Sequence, residues 1–170
     1  MDTYASTIPQ FIKMLDNLDR WIDKGVEHAK KKNFDPSVYL EARLAPDQHT
    51  FLGQVQSACD AAKTAAARLA GKDPPKHPDT ETTLDEIRAR INTCRDYLKS
   101  VAPADLANSE ARLIALAFMP GKGIRGTDYT VDLALPNFYF HIVTAYSILR
   151  HNGVELGKTA YIGSMKLEAV

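Results

Sequence analysis

The sequence has few of the features that are typical of membrane proteins, nucleic-acid-binding proteins or secreted proteins. No run approaches the ~20 apolar residues that a membrane-spanning helix needs, and the first residues lack the basic-then-apolar pattern of a secretory leader. The 21 basic and 21 acidic side chains cancel, so no basic field is expected to attract nucleic acid or anionic lipid. We expect a cytoplasmic protein that binds neither nucleic acid nor membranes.

Cysteine is also scarce, and recognisable catalytic patterns are absent. The two cysteines, Cys59 and Cys94, lie in separate helical patterns and match no metal-ligand spacing. A reduced pair that packs as small apolar side chains is the simplest interpretation, with a disulfide as the alternative. No nucleophile–base pair and no pair of catalytic carboxylates stands out in the sequence. Any enzymatic site would therefore be sparse and visible only in three dimensions.

The length of 170 residues predicts one domain over residues 1–170, and apolar stripes at helical spacing predict its first two helices. The first helix ends at Asn33, and the second begins at Pro46–Asp47 and ends at Gly71. Polar residues at helical spacing form a stripe opposite the apolar face of the second helix: His49, Gly53, Gln56, Asp60 and Lys63. The first apolar stripe is Tyr4, Ile8, Phe11, Leu15, Leu18, Ile22, Val26 and Ala29, and the second is Phe51, Val55, Ala58, Ala62, Ala65 and Leu69.

Two further helices complete the predicted fold. The third begins near Asp79–Thr80 and ends before Pro103. The turn residues of Pro120–Gly123 then predict a short hairpin or an irregular insert. The fourth helix, 137–150, is apolar almost all round, which predicts burial on most sides. Four helices joined by short connections indicate an all-α, antiparallel four-helix bundle.

His141 is the most informative single residue, because it lies inside the most apolar helix. A charged imidazole would be costly there, so we expect the ring to be neutral and partnered. A neutral imidazole serves either as a hydrogen-bonded core group or as a metal ligand. Asn137 lies one turn earlier on the same face, as a second ligand would need.

The second helix offers Asp47 as the side chain that approaches His141. It precedes Phe51 by one turn on the inward stripe, and Gln54 continues that edge. Asp47 is equally well interpreted as the N-cap after Pro46. His49 falls on the polar stripe, which favours exposure over ligation, and Tyr146 either donates a hydrogen bond into the bundle or packs there. The predicted site is thus Asp47, Asn137 and His141, with Gln54 and Tyr146 lining the pocket.

Several segments resemble a bacterial family of unknown function. The most specific is Leu135-Pro136-Asn137-Phe138-Tyr139-Phe140-His141, which continues from Thr144 to Val154, and it is supported by Ala42–Asp47, Gln54–Asp60 and Ala67–Gly71. From Tyr4 to Gly163 the chain resembles the uncharacterised family catalogued as domain of unknown function number nineteen-ninety-three. That family is similar to the DinB/YfiT-like superfamily of four-helix bundles.

The resemblance implies an antiparallel bundle, often dimeric, with zinc or nickel bound by three histidines. Some superfamily members are thiol-dependent transferases. One histidine of the pattern belongs to the second helix and a pair spaced by four to the fourth helix. Here the partner of His141 in that pair is Asn137 or Ala145, and the second helix offers Asp47.

Two functions follow as hypotheses. The first is a degenerate metal-dependent enzyme, similar to the thiol transferases, with its pocket between the second and fourth helices. The second is a metal-free dimeric bundle that serves a structural role or binds a small molecule.

Overall fold

The computed structural model describes residues 2–169, and most of them are helical. The long helices are α1, Thr3–Lys32; α2, Phe51–Leu69; α3, Leu84–Lys99; and α5, Leu135–His151. Shorter pieces are α4, Gly126–Asp128; a π-helical segment, Tyr129–Ala134; α6, Lys158–Ile162; and two 3-10 segments, Pro36–Glu41 and Pro103–Leu106. Within residues 2–169, every helix is too short or too polar to cross a membrane.

The long helices enclose one core, because helix α2 contacts α3 and α5, and helix α1 contacts the same two helices. Large side chains without solvent exposure fill the space between them, among them Phe11, Phe51 and Phe138. The ring of Phe11 lies 4.5 Å from that of Phe138, measured between centroids. The burial of these apolar faces is the main stabilising contribution to the fold.

The fold is mostly helical rather than purely helical, because two short strands form a sheet before α5. Strand β1, Leu113–Ala115, pairs antiparallel with β2, Gly123–Arg125, and Ile114 lies opposite Ile124. The expected choice between a hairpin and an irregular insert is therefore decided in favour of the hairpin. Pro120–Gly123 contributes the turn and the first residue of β2.

Gly126 lets the turn that precedes the hairpin lie directly against the start of α4. Its amide donates to the carbonyl of Arg112 at 2.9 Å, and a Cβ at this position would lie 1.8 Å from the carbonyl oxygen of Ser109. No side chain fits in that space, since a backbone oxygen would have to move away. The close approach fixes the hairpin, and with it the tip that carries Phe118.

The predicted starts of two helices are wrong, for the same physical reason. Helix α2 begins at Phe51, where the hydroxyl of Thr50 caps it by accepting from the Gly53 amide at 3.3 Å. Helix α3 begins at Leu84, where Thr83 forms a capping box with Glu86. Threonine hydroxyls satisfy the free amides of a first helical turn. Asp47 consequently lies in a turn before α2 rather than within it.

Helix periodicity also assigned some side chains to the wrong environment. Val26, on the predicted apolar stripe of α1, is exposed, whereas Lys63, on the predicted polar stripe of α2, is buried. Helix α5 is not buried on most sides, because Phe140 and Val143 are exposed. Asn33 ends α1 in the left-handed conformation, with φ of 58°, as expected.

Candidate functional site

A cleft of about 460 Å³ opens beside α2, between this helix and the helical stretch that ends in α5. Helix α2 lines it with small and polar side chains three or four residues apart, so they share one face. Asp79 of the connection between α2 and α3 and Phe118 of the hairpin complete the wall. The lining residues are His49, Gly53, Gln56, Ser57, Asp60, Ala61, Thr64, Arg68, Asp79, Phe118, Tyr129, Leu133, Ala134, Asn137 and His141.

The orientation of the His141 ring follows from a hydrogen-bonded relay through a buried glutamine. Gln54 has no solvent exposure, and its amide nitrogen donates to the carbonyl of His49 at 3.4 Å. Its oxygen therefore accepts from Nδ1–H of His141, at 2.8 Å. The opposite ring nitrogen, Nε2, is then the unprotonated atom. In this state His141 can accept a hydrogen bond or a proton at Nε2.

Burial favours the neutral form of this imidazole. It lowers the pKa of His141 below its ordinary value, and the nearby His49 lowers that pKa further. The expectation that the ring has a hydrogen-bond partner is confirmed, and the lowered pKa favours the neutral form that was expected. Its partner, however, is the amide of Gln54 and not a carboxylate.

The structure brings together only part of the predicted site. His141 and Asn137 line the cleft, and the buried Gln54 forms a hydrogen bond with the His141 ring. Asp47 is exposed in the turn before Thr50 and does not line the cleft, so the expected contact with His141 is wrong. Tyr146 belongs elsewhere, because its hydroxyl donates to the carbonyl of Leu156 at 3.2 Å.

His49 is exposed, as its place on the polar stripe predicted, but the sequence analysis did not assign it to the site. The structure places it in the cleft lining together with His141. A Cβ on Gly53 would lie 3.2 Å from the His49 Cβ and 3.3 Å from its Nδ1, so the glycine makes room for the ring. The signal was present in the polar stripe of α2, which faces the cleft rather than open solvent.

The donor groups do not fit the zinc or nickel ion that the resemblance implies. Across residues 2–169, no three His, Cys, Asp or Glu side chains converge closely enough to hold a metal ion. Asn137 adds an amide, which is a harder ligand than the imidazoles that suit these metals.

Arg90 holds the wall of the cleft in place. Its side chain, which is 2% exposed, lies 2.6 Å from an Asp60 oxygen, 2.8 Å from Asp79 and 2.9 Å from Glu81. It also donates to the carbonyl of Pro78 at 3.2 Å. Burial alone would lower the pKa of Arg90, but the hydrogen bond with Glu81 and the charges of Asp60 and Glu81 raise it above its ordinary value. The network ties the connection between α2 and α3 to both helices.

The lowered pKa of His141 predicts a loss of stability in mild acid. The unfolded chain binds the proton more tightly than the native protein, so the contribution to stability is complete above the ordinary histidine pKa of 6.5. It is lost as the pH falls from there through the folded pKa. Urea unfolding between pH 7.5 and 5 measures this, with NMR titration of the ring. In His141→Gln the slope over this range is expected to be smaller, and an unchanged slope would contradict the assignment.

Comparison with known proteins adds a family and a structural relative. The family model described as Domain of unknown function (DUF1993) matches residues 3–162. A solved structure, described as a crystal structure of a DinB family member protein from Shewanella denitrificans, is 47% identical with a TM-score of 0.95. The match covers 98% of this chain and 95% of that chain. No curated protein matches. The likeness therefore extends over nearly the whole chain.

Proposed function

This chain belongs to the DUF1993 family, and we propose that its cleft binds a small polar molecule without a metal, with Nε2 of His141 as the central acceptor. The observation that carries the proposal is the 2.8 Å hydrogen bond between His141 Nδ1 and Gln54 Oε1. It fixes the tautomer and the direction of the ring. A pre-oriented acceptor in a cleft loses little freedom when a ligand binds.

The remaining lining supports a polar ligand. Ser57 and Asn137 offer hydroxyl and amide groups beside His141, and Phe118 provides an apolar surface. A few polar groups placed in a concave site are typical of small-molecule pockets. The cleft volume of about 460 Å³ falls within the range of such pockets. Hydrogen-bond donors on the ligand, such as hydroxyl or amino groups, match the free acceptor at His141.

The metal-dependent transferase is the alternative, and the donor set supports it less well. His141 and His49 are the two imidazoles of the cleft lining, one fewer than the three of the expected pattern. Helices α1 and α2 each contact both α3 and α5, which is the contact pattern of a four-helix bundle. An antiparallel bundle is therefore part of the same proposal. The homodimer expected from the resemblance stays a prediction.

Mass spectrometry of small molecules tests the proposal. Purified protein is incubated with a low-molecular-weight cell extract, washed and denatured, and the released compounds are identified. A hydrogen bond to the imidazole contributes about 1.4 kcal/mol, so His141→Gln is expected to weaken binding of the compound about tenfold. His151→Gln is the matched control, because His151 is exposed at the far end of α5.

Metal titration tests the alternative, the metal-dependent transferase. Under the proposal, calorimetry with Zn²⁺ or Ni²⁺ shows no binding that depends on His141. Stoichiometric uptake that is lost in His141→Gln, with no small molecule retained by the native protein, would overturn the proposal in favour of the metal-dependent enzyme.

A further inference from the structure

A second cavity lies next to the cleft, and Arg68 lines both of them. It has a volume of about 450 Å³ and is bounded by the end of α2, the connection that follows it and strand β1. The lining residues are Arg68, Gly71, Lys72, Asp73, Pro74, Arg112, Leu113, Ile114 and Ala115. Two guanidinium groups, those of Arg68 and Arg112, therefore border the same space.

Neither of these arginines forms an ion pair within the part of the chain that the structure describes. The ion pairs among residues 2–169 involve the other buried or half-buried arginines, Arg88, Arg90 and Arg95, but neither Arg68 nor Arg112. Lys72, on the same cavity, pairs with Asp105 at 2.9 Å. The Nε atom of Arg112 is buried and has no hydrogen-bond partner. Asp73 also lines the cavity but pairs with neither arginine, so both guanidinium groups lack an ion-pair partner among residues 2–169.

Gly71 holds the Arg112 guanidinium close to the end of α2. Its φ is +70°, and a Cβ there would lie 1.9 Å from Nη1 of Arg112. The absence of a side chain lets the guanidinium lie against the backbone one turn after Arg68. A cation in the last turn of a helix is favourable, which accounts for Arg68. It does not account for Arg112, a second arginine that directly precedes strand β1 and forms no ion pair with residues 2–169.

Two guanidinium groups on one cavity repel each other unless an anion lies between them. The planar donor forks of arginine match the oxygens of phosphate and carboxylate groups, with two parallel hydrogen bonds to each group. We propose that Arg68 and Arg112 form a binding site for the oxyanion group of a small ligand, a phosphate or a carboxylate. The site stands apart from the function proposed for His141 and does not depend on it.

Thermal unfolding with inorganic phosphate tests the site, with sodium chloride added to keep the ionic strength constant. Calorimetry gives the dissociation constant. At ten times that concentration, phosphate is expected to raise the Tm by roughly 3–6 °C. Sodium acetate is tested in parallel. A larger shift with phosphate identifies a phosphate-bearing ligand, and a larger shift with acetate identifies a carboxylate.

Two charge-removing variants separate a site from a general salt effect. Arg68→Gln and Arg112→Gln are each expected to lose the anion-dependent shift. In chloride alone, Arg112→Gln should unfold at no lower Tm than the native protein, because the substitution removes a repulsion, whereas Arg68→Gln also loses its favourable place in the last turn of α2; the anion-dependent shift of each variant is therefore measured from that variant's own Tm in chloride. Arg43→Gln removes the same charge from an exposed position outside the cavity and should keep the full shift. His141→Gln should keep it too, which distinguishes this site from the cleft.

The proposal is overturned if neither anion binds to the native protein in calorimetry. It is equally overturned if both arginine variants keep the native shift. The first of these results is obtained with the native protein alone. The proposal can therefore be overturned even if one of the arginine variants fails to fold.

Discussion

Replacing Arg90 with methionine is expected to lower the free energy of unfolding by about 3–5 kcal/mol. The substitution keeps an apolar stem of similar length but removes the guanidinium that Asp60, Asp79 and Glu81 share. Glu81, whose side chain is 12% exposed, would lose its cation. Burial would raise the pKa of Glu81, but hydrogen bonds from Gln56 and Arg90 hold it below its ordinary value. Without Arg90, Asp60 keeps its ion pair with Lys63 at 2.7 Å, but Asp79 and Glu81 lose their cation.

Calorimetry or urea unfolding measures this loss, which corresponds to a fall in Tm of roughly 6–20 °C. Arg88→Met is the control on the same helix. Arg88 also joins two carboxylates, Asp19 at 2.8 Å and Asp23 at 2.6 Å, but its side chain is 24% exposed. We expect it to cost about 1 kcal/mol or less. Equal losses in the two variants would mean that burial of Arg90 has no special energetic role.

The Arg90 variant is also expected to weaken ligand binding in the cleft. Asp60 and Asp79 line the cleft and are both held by Arg90. Once released, the connection that carries Asp79 loses its tie to the helices. Arg90 is thus a positioning residue for the wall, and no part of it is required to contact the ligand.

Replacing Phe138 with alanine is the second large effect, with an expected loss of about 3–5 kcal/mol. The ring has no solvent exposure and packs against Phe11 at 4.5 Å and Tyr139 at 5.5 Å between centroids. Its removal takes apolar contacts from the centre of the core and leaves a cavity that close-packed helices cannot fill. Urea unfolding measures the change.

Phe140→Ala provides a matched control on the same helix. Phe140 lies two residues further along α5 and is 54% exposed, so its truncation is expected to cost about 1 kcal/mol or less. A loss in Phe138→Ala that is no larger than the loss in Phe140→Ala would contradict the placement of these two faces of α5.

Much of the fold was predictable from local chemistry. The first helix and its end at Asn33 follow from apolar spacing and from the tolerance of asparagine for a left-handed backbone. The hairpin before α5 follows from the turn residues around Gly121. Helix starts were less predictable, because Asp47 and Asp79 are as good N-caps as Thr50 and Thr83 in isolation. Which cap is used depends on tertiary packing around it.

The sequence alone determined which side chains share a helix face, and it identified His141 as an imidazole that has to be neutral and partnered, because periodicity and burial costs are local properties. Only the tertiary structure decided that Gln54 is that partner, that Asp47 lies outside the cleft and that His49 lies inside it. It also decided that Arg90 is buried among carboxylates, while neither Arg68 nor Arg112 forms an ion pair with any of residues 2–169. The periodicity of one helix specifies its own faces, but which face of another helix lies opposite depends on how all the helices pack together.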